Sequence, residues 1–414
     1  MSARMADGWN YGEDPPKVVP LPLWAMPARL TDPTKIPPRE WLYGTRLIRR
    51  FVTVTVAPGG TGKSMYAIGV GMCLATGKSF LRDTVFKQVN SWIMNLEDPM
   101  EELDRRVAAM MIRHNITREE LEGRFFLHSG RDRRLTVAQL TDYGEITYPD
   151  KDAVIAAAQA AQIGHIVVDP FVKSHGLEEN SNPHMDAAAT AWAEIGQATG
   201  AAIDLIHHTR KGAVTDVDAA RGGKALTDAS RVSQTMAVMS PEEAEKLGVP
   251  DTKRWQYVRL DDAKANMAPR ATDARWFQLE MIQLHNGTEE YPNGDNVASI
   301  APWDPPAPFD GLTWPMISQI LARIERGPSP GEMWTLTRRG RSNDRWAGNA
   351  FTGITDKSDG QKQSILSKWH DAGVLVEVEY KSPATRKLTA GLEVTTAKVL
   401  EMKAEASREV GENA

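Results

Sequence analysis

Residues 57 to 64 read Ala-Pro-Gly-Gly-Thr-Gly-Lys-Ser, directly after the alternating run Val52-Thr53-Val54-Thr55-Val56. Closely spaced glycines let successive backbone N–H groups curl into an anion-binding nest, and a helix starting there aims its positive dipole end at the same spot. The spacing is that of a P-loop, G-x-x-x-x-G-K-[ST], with Ala57 standing at the first glycine. Ala57 falls at a strand end where ordinary extended backbone suffices, so the tight part of the nest keeps Gly59, Gly60 and Gly62. Pro58, Gly59, Gly60, Thr61, Gly62, Lys63, Ser64 and Met65 are thus expected to wrap a nucleotide triphosphate. Lys63 would reach the β and γ phosphates and Ser64 would ligate Mg²⁺.

Three further apolar runs end in polar residues that fit such a site, because open α/β sheets gather ligands at the carboxyl ends of their strands. The run HIVVD ends in Asp169, a carboxylate suited to the Mg²⁺ shell beside Ser64. SWIMNLED ends in Glu97 and Asp98, and Glu97 is the candidate general base for orienting water. AIDLIHH ends in His207 and His208, where an imidazole could sense the γ-phosphate. With one cysteine, Cys73, and no His-Glu-x-x-His pattern, the chain offers little for zinc. Cys73 lies in the expected P-loop helix, where packing is its ordinary role.

The elements that position these residues follow from periodicity. From about 45 to 283, short apolar runs alternate with helix-like stretches, which argues for a parallel sheet covered by helices. Residues 1–40 form a proline-rich N-terminal arm, 41–283 a core, and 284–310, rich in turn-formers and prolines, a linker. Residues 311–395 read as a small α+β winged-helix-like domain: the helix GLTWPMISQILARIERG, a basic loop, the helix QKQSILSKWHDAG, and two strands flanking the turn KSPATRK. Residues 396–414 read as a frayed helix or tail. Trp41 and Tyr43 are open between stacking on an adenine ring and covering the sheet edge.

The 414 residues are 41% hydrophobic with a net charge of −5, enough for a large core and without a global basic signature. Any nucleic-acid contact must come from local patches. No apolar stretch is long enough to span a bilayer, and one cysteine suits a reducing compartment, so a soluble cytoplasmic protein with no membrane partner is expected.

The motifs LEDP, VVDPFVKSHGLEENSNPHM, LIHHTRKGA, ARGGKALTDASR and YVRLDDAKAN resemble, in this order, the core of the RepA-like branch of RecA-like AAA-family ATPases, which includes hexameric replicative DNA helicases. The resemblance covers about residues 41–280. It implies a RecA-like P-loop core that binds ATP with Mg²⁺ and assembles into a homo-oligomeric ring, a hexamer, on single-stranded DNA. Carried over by position, Lys63, Ser64, Glu97, Asp169 and His208 match the catalytic and metal-side residues. Arg106 and Arg231 match arginines that act around the nucleotide between subunits, and Lys264 a further γ-phosphate contact. Arg210, Lys211, Arg221 and Lys224 fall in a loop suited to a strand's phosphates. The resemblance implies a DNA-dependent ring motor in plasmid or phage replication. A recombination mediator or loader without unwinding, and an ATP-switched DNA-binding regulator, stay open beside it. The C-terminal domain is open between duplex DNA and protein; for DNA, QKQSILSKWHDAG would enter a groove while Lys381, Arg386 and Lys387 touch the backbone.

Overall fold

The computed structural model describes residue 28 and residues 30–209, 226, 230–268, 274–338 and 344–412. The chain divides into two units, Met1–Arg39 and Glu40–Ala414. In the first, the described part carries one 3₁₀ turn, Pro33–Lys35, capped by Asp32, which accepts from the Thr34 amide at 2.9 Å.

The second unit opens with a small antiparallel ribbon, β1 (Trp41–Tyr43) and β2 (Leu47–Ile48). Its main body is a nine-stranded sheet. Six of its strands run parallel: β3 (Val52–Pro58), β4 (Asn90–Asn95), β5 (Phe125–Ser129), β8 (Ile163–Asp169), β10 (Ala202–Thr209) and β11 (Val232–Val238). In space they stand in the order β5-β4-β8-β10-β3-β11, and β12 (Tyr257–Ala265), β13 (Arg275–Gln283) and β14 (Asn296–Pro302) continue the sheet antiparallel. Between β5 and β10 a minor sheet forms from β6 (Ala138–Leu140), β7 (Ile146–Thr147) and β9 (His175–Gly176).

Helices cover both faces. On one side α1 (Lys63–Thr76), α2 (Met100–His114) and the short α3 (Arg118–Leu121) share a core with Ile93, Val167 and Phe277. On the other, α4 (Lys151–Ala160) and α5 (Asn182–Thr199) pack on Val54, Val168 and Leu205 around the fully buried Trp192. This is the α/β class expected, with a parallel-dominated sheet flanked by helices.

The Val-Thr alternation of β3 looks half-exposed in sequence, yet both faces are buried. The threonines escape an unsatisfied-hydroxyl cost because partners are built in. Thr53 donates to the Arg46 carbonyl at 2.6 Å and Thr55 to Asp204 at 3.2 Å. Asp204 in turn accepts from Arg46, an ion pair wholly inside the sheet layer.

Two sequence expectations change. Residues 284–310 are not a plain linker: Asn296–Pro302 is the edge strand β14, paired with β13 from Phe277↔Pro302 to Gln283↔Asn296. Turn-formers on both sides hid a short apolar run whose second half, Ser299 to Ala301, is buried. The stretch after 395 is the helix α9 (Thr396–Glu412), and its Val399 and Met402 pack on the C-terminal core, so the terminal domain extends past that boundary.

That C-terminal core holds α7 (Trp314–Arg326), α8 (Asp359–Asp371) and the hairpin β15 (Leu375–Lys381) and β16 (Leu388–Val394) around Trp346, Phe351 and Trp369. A short helix, α6 (Pro241–Leu247), joins β11 to β12 and packs on α8. It starts in a capping box between Ser240 and Glu243.

Candidate nucleotide site

Gly62 and Lys63 mark the turn from β3 into α1. Gly62 caps the helix in the left-handed region at φ 76, and a Cβ there would stand 2.6 Å from the Leu279 side chain on β13. Only glycine meets both demands. Next to it the loop is open: a Cβ at Gly59 or Gly60 would meet nothing within 4 Å, leaving the nest facing free space. Thr61 braces the turn, its hydroxyl donating to the Pro58 carbonyl at 3.0 Å.

Lys63 is 5% exposed, and burial pulls its ammonium below the usual lysine range, opposed by the charges of Asp169 and Glu97. Among the described residues it forms no salt bridge. A largely buried cation facing an open nest of amides is the donor set a polyphosphate needs.

Register then gathers the predicted partners. In β10, His208 pairs with Ala57 and Thr209 with Pro58; in β8, Asp169 pairs with Asn95 of β4. Since β3, β10, β8 and β4 are neighbours, one edge carries the P-loop, His208, Asp169 and Glu97 in sequence. His208 Nε2 lies 3.8 Å from Asp169 Oδ1 and is buried without a hydrogen-bond partner. Asp169, 3% exposed, and Ser64 at the first turn of α1 fit the role of Mg²⁺-side oxygens for a metal held jointly with phosphates.

Asn95 separates the roles of the two acids that follow it. Its Oδ1 accepts from the Glu97 and Asp98 amides at 3.0 and 2.8 Å, and its Nδ2 donates to Asp98 at 3.1 Å. Asp98 also pairs with Arg106 at 2.8 Å, while the Glu97 side chain stays exposed at the strand end. Of the two acids, Glu97 is the one whose carboxylate is exposed and outside the Arg106 ion pair. Arg106, tied to Glu102 at 3.1 Å as well, lines the P-loop cleft of its own chain.

That cleft, about 440 Å³, runs from Gly60 and Ser64 past Arg106 on α2 to Asn296 and Ala298 on β14. With phosphates at the loop, the far end is left for the base, so the supposed linker supplies a wall of the site. The wall is strapped to α2. Arg105 donates to Asp295 at 3.0 Å, Arg113 pairs with Glu280 through two bonds, and the His114 ring bonds the Ile300 carbonyl at 2.8 Å.

Arg231 and Lys264 lie elsewhere. Val232 pairs with Thr53 and Ser233 with both Val54 and Lys264, at the amino end of β3. Five residues of strand separate Thr53 from Pro58, roughly 17 Å. Exposed Arg231 borders a separate cleft with Arg50, Phe51 and Gln197. Neither residue is brought to the P-loop of its own chain. Tyr43, wholly buried with its hydroxyl donating to the Leu81 carbonyl at 3.2 Å, is not available to stack on a base, whereas Trp41 is half-buried. Cys73 is core, its thiol pushed up to about 12 by burial. Arg210, Lys211, Arg221 and Lys224 lie outside the described residues.

Behind the edge sit three buried histidines. His207 and His175 are held down to about 4 and His165 to about 3, in each case chiefly by burial. His165 Nδ1 bonds the Ser91 hydroxyl at 2.8 Å. Of this layer the sequence singles out only His207; His165, His175, the Asn95 turn and the Arg46–Asp204 pair are not marked there. Of these only Asn95 has a local signal, an Asx-type turn at a strand end.

A family model described as an AAA domain matches residues 19–214, 196 of the 414 residues. The matched stretch holds the P-loop on the central strand of the parallel-dominated sheet. Over that stretch, just under half its length, the chain is similar to AAA-type P-loop ATPases. Among solved structures, this chain is similar to a KaiC-like protein from Pyrococcus horikoshii, at 12% identity over 62% of this chain and 91% of that one with a TM-score of 0.37. It is also similar to the RadB recombinase, at 12% identity over 56% and 88% with a TM-score of 0.36. Among the described residues of the ATPase core and its C-terminal extension, no helix is long and apolar enough to cross a membrane.

Proposed function

We propose that the chain is an ATP-hydrolysing subunit of a ring, a hexamer, that moves along single-stranded DNA, as replicative helicases of plasmids and phages do. Lys63 and the nest amides hold the phosphates, and Ser64 and Asp169 would hold Mg²⁺, which would neutralise charge on the phosphates. Glu97 takes the proton of the attacking water, and His208 contacts the γ-phosphate from the next strand. Arg106, with its planar guanidinium beside the cleft, packs on the base.

The observation that carries the ring reading is the placement of Arg231 and Lys264. Both sit at the amino edge of the sheet, roughly 17 Å from the P-loop of the same chain. Cations there serve a phosphate only if it belongs to a neighbour, and an arginine supplied in trans contributes about 10³ to 10⁵ in rate. Arg210, Lys211, Arg221 and Lys224 are the cations assigned to the strand's phosphates.

Steady-state ATP hydrolysis with and without single-stranded DNA tests this, using Lys63→Ala, Glu97→Gln and Arg231→Ala. The expected result is DNA-stimulated turnover lost in all three, with a more than proportional loss when wild type is mixed with Arg231→Ala. Turnover blind to DNA, or Arg231→Ala behaving as wild type, refutes the trans-acting motor.

A further inference from the structure

The C-terminal domain has two surfaces that a duplex could meet, the helix α8 and the turn of the β15–β16 hairpin. Only one is open. A helix that reads the major groove must leave a whole face free to fill a slot about 12 Å wide. Of the thirteen residues of α8, only Lys368 and Asp371 are exposed. One side of the helix is core, through Ile365, Leu366 and Trp369, and its first turn is pressed onto α6. A Cβ at Gly360 would stand 2.7 Å from the Glu245 backbone, Ser358 donates to the Glu245 carbonyl, and Gln361 donates to the Leu247 carbonyl at 3.4 Å.

The polar side chains of α8 are also occupied. Gln363 accepts from Trp346 at 2.9 Å and donates to the Leu336 carbonyl at 3.2 Å. Lys362 pairs with Asp359, and Ser364 donates to the Gly360 carbonyl. The helix is a bolt between the domain and the ATPase core.

The hairpin turn is the opposite case. Lys381, Arg386, Lys387 and Leu388 are all exposed, and no acid lies between 381 and 388. The acids of the hairpin, Glu377, Glu379 and Glu393, sit back along its stem and are exposed too. The turn is also preset. Glu332, 8% exposed, accepts from Tyr380 and Ser382 hydroxyls at 2.6 Å each and from the Ala384 amide at 3.0 Å, which holds its carboxyl down to about 2. A turn fixed before binding loses little entropy when it meets a partner.

We infer that the C-terminal domain contacts duplex DNA with the tip of this hairpin, through phosphates and without reading sequence, while α8 stays bolted to α6. A basic tip on an acidic stem admits a polyanion end-on and repels it from the flank. Three tip cations displace about three counterions, so log K should fall with log salt by a slope contribution of about 2.7. Going from 50 to 200 mM salt, that is a roughly 40-fold loss attributable to the tip.

The test is the salt dependence of full-length protein binding to blunt duplexes of two unrelated sequences, read by fluorescence anisotropy. The tip variant is Lys381→Ala/Arg386→Asn/Lys387→Ala, with Asn at 386 because that residue has φ 58. Gly360→Ala is the second variant, a wedge against α6 that also favours helix. The expected result is equal affinity for both sequences, a slope shallower by about 2.7 in the tip variant, and less than a twofold change in Gly360→Ala. An unchanged slope, affinity differing tenfold between sequences, or tenfold tighter binding by Gly360→Ala overturns the inference. No duplex binding by wild type overturns it also and marks the turn as a protein contact. The inference rests on the DNA reading of this domain, not on the motor: lost duplex binding with DNA-stimulated ATPase sinks only the hairpin, and the reverse sinks only the ring.

Discussion

Lowering the pH from 7.5 to 5 should destabilise this protein steeply, and the size of the effect follows from three side chains. His207 and His175 titrate at about 4 and His165 at about 3 in the folded chain, against about 6.5 when unfolded. A base whose folded pKa is lowered binds more protons unfolded than folded, so stability rises with pH. The contribution is fully present above about 6.5 and is lost as pH falls toward 4. At pH 5.5 each histidine differs by about 0.9 proton between states, a slope of about 1.2 kcal/mol per pH unit, and at pH 5 each has cost about 2 kcal/mol. Three together cost about 6 kcal/mol, comparable to the whole stability of a typical domain. Urea unfolding followed by tryptophan fluorescence at half-unit steps from pH 7.5 to 5 reads the slope, and His207→Asn should lower it by about 1.2 kcal/mol per pH unit near pH 5.5. A flat stability profile across that window would show that the histidines take up protons in place and that burial does not govern them.

Three other outcomes are expected. Gly62→Ala should abolish nucleotide binding, because the left-handed φ costs about 1–2 kcal/mol and the methyl meets Leu279; Gly62→Ala/Leu279→Ala should recover only the steric part, as measured by fluorescent-nucleotide titration. Asp204→Asn leaves the Arg46 charge buried without its counter-charge and should lower stability by about 3–5 kcal/mol in chemical denaturation. Arg105→Ala cuts the tie from α2 to Asp295 and should raise the Kd for ATP several-fold with little change in melting temperature, the tie being part-exposed.

What the sequence disclosed is what a short window can hold. The P-loop, Glu97, Asp169 and His208 are each adjacent to an apolar run, and the rule that ligands gather at carboxyl ends of strands was enough to bring them together. The missing parts depend on pairing between distant segments. Nothing near residue 296 says that Asn296–Pro302 will close the sheet beside a loop at 59–64, because its flanks are dominated by turn residues and the decision is made by β13 and α2. Arg46 and Asp204 look like ordinary surface charges until the fold places both in the interior. Likewise α8 has the composition of an exposed amphipathic helix, and only the approach of α6 at Gly360 covers it. Arg231 was legible as a residue but not as a location, since its distance from Pro58 depends on the register of β11 with β3.

The register of β11 also bears on how the chain must be made. β3 holds the P-loop between β10 on one side and β11 on the other, and the cleft is finished only by β14, more than two hundred residues after Lys63. A nascent or truncated chain ending near 214, where the AAA-domain match stops, would present the β3 flank as a bare edge of unpaired amides and carbonyls. Such an edge invites pairing with another chain. The wall that β14 gives the cleft is added only once residues 296–302 have been made, and expression of the minimal matched segment should give aggregates where a chain reaching past β14 gives soluble protein.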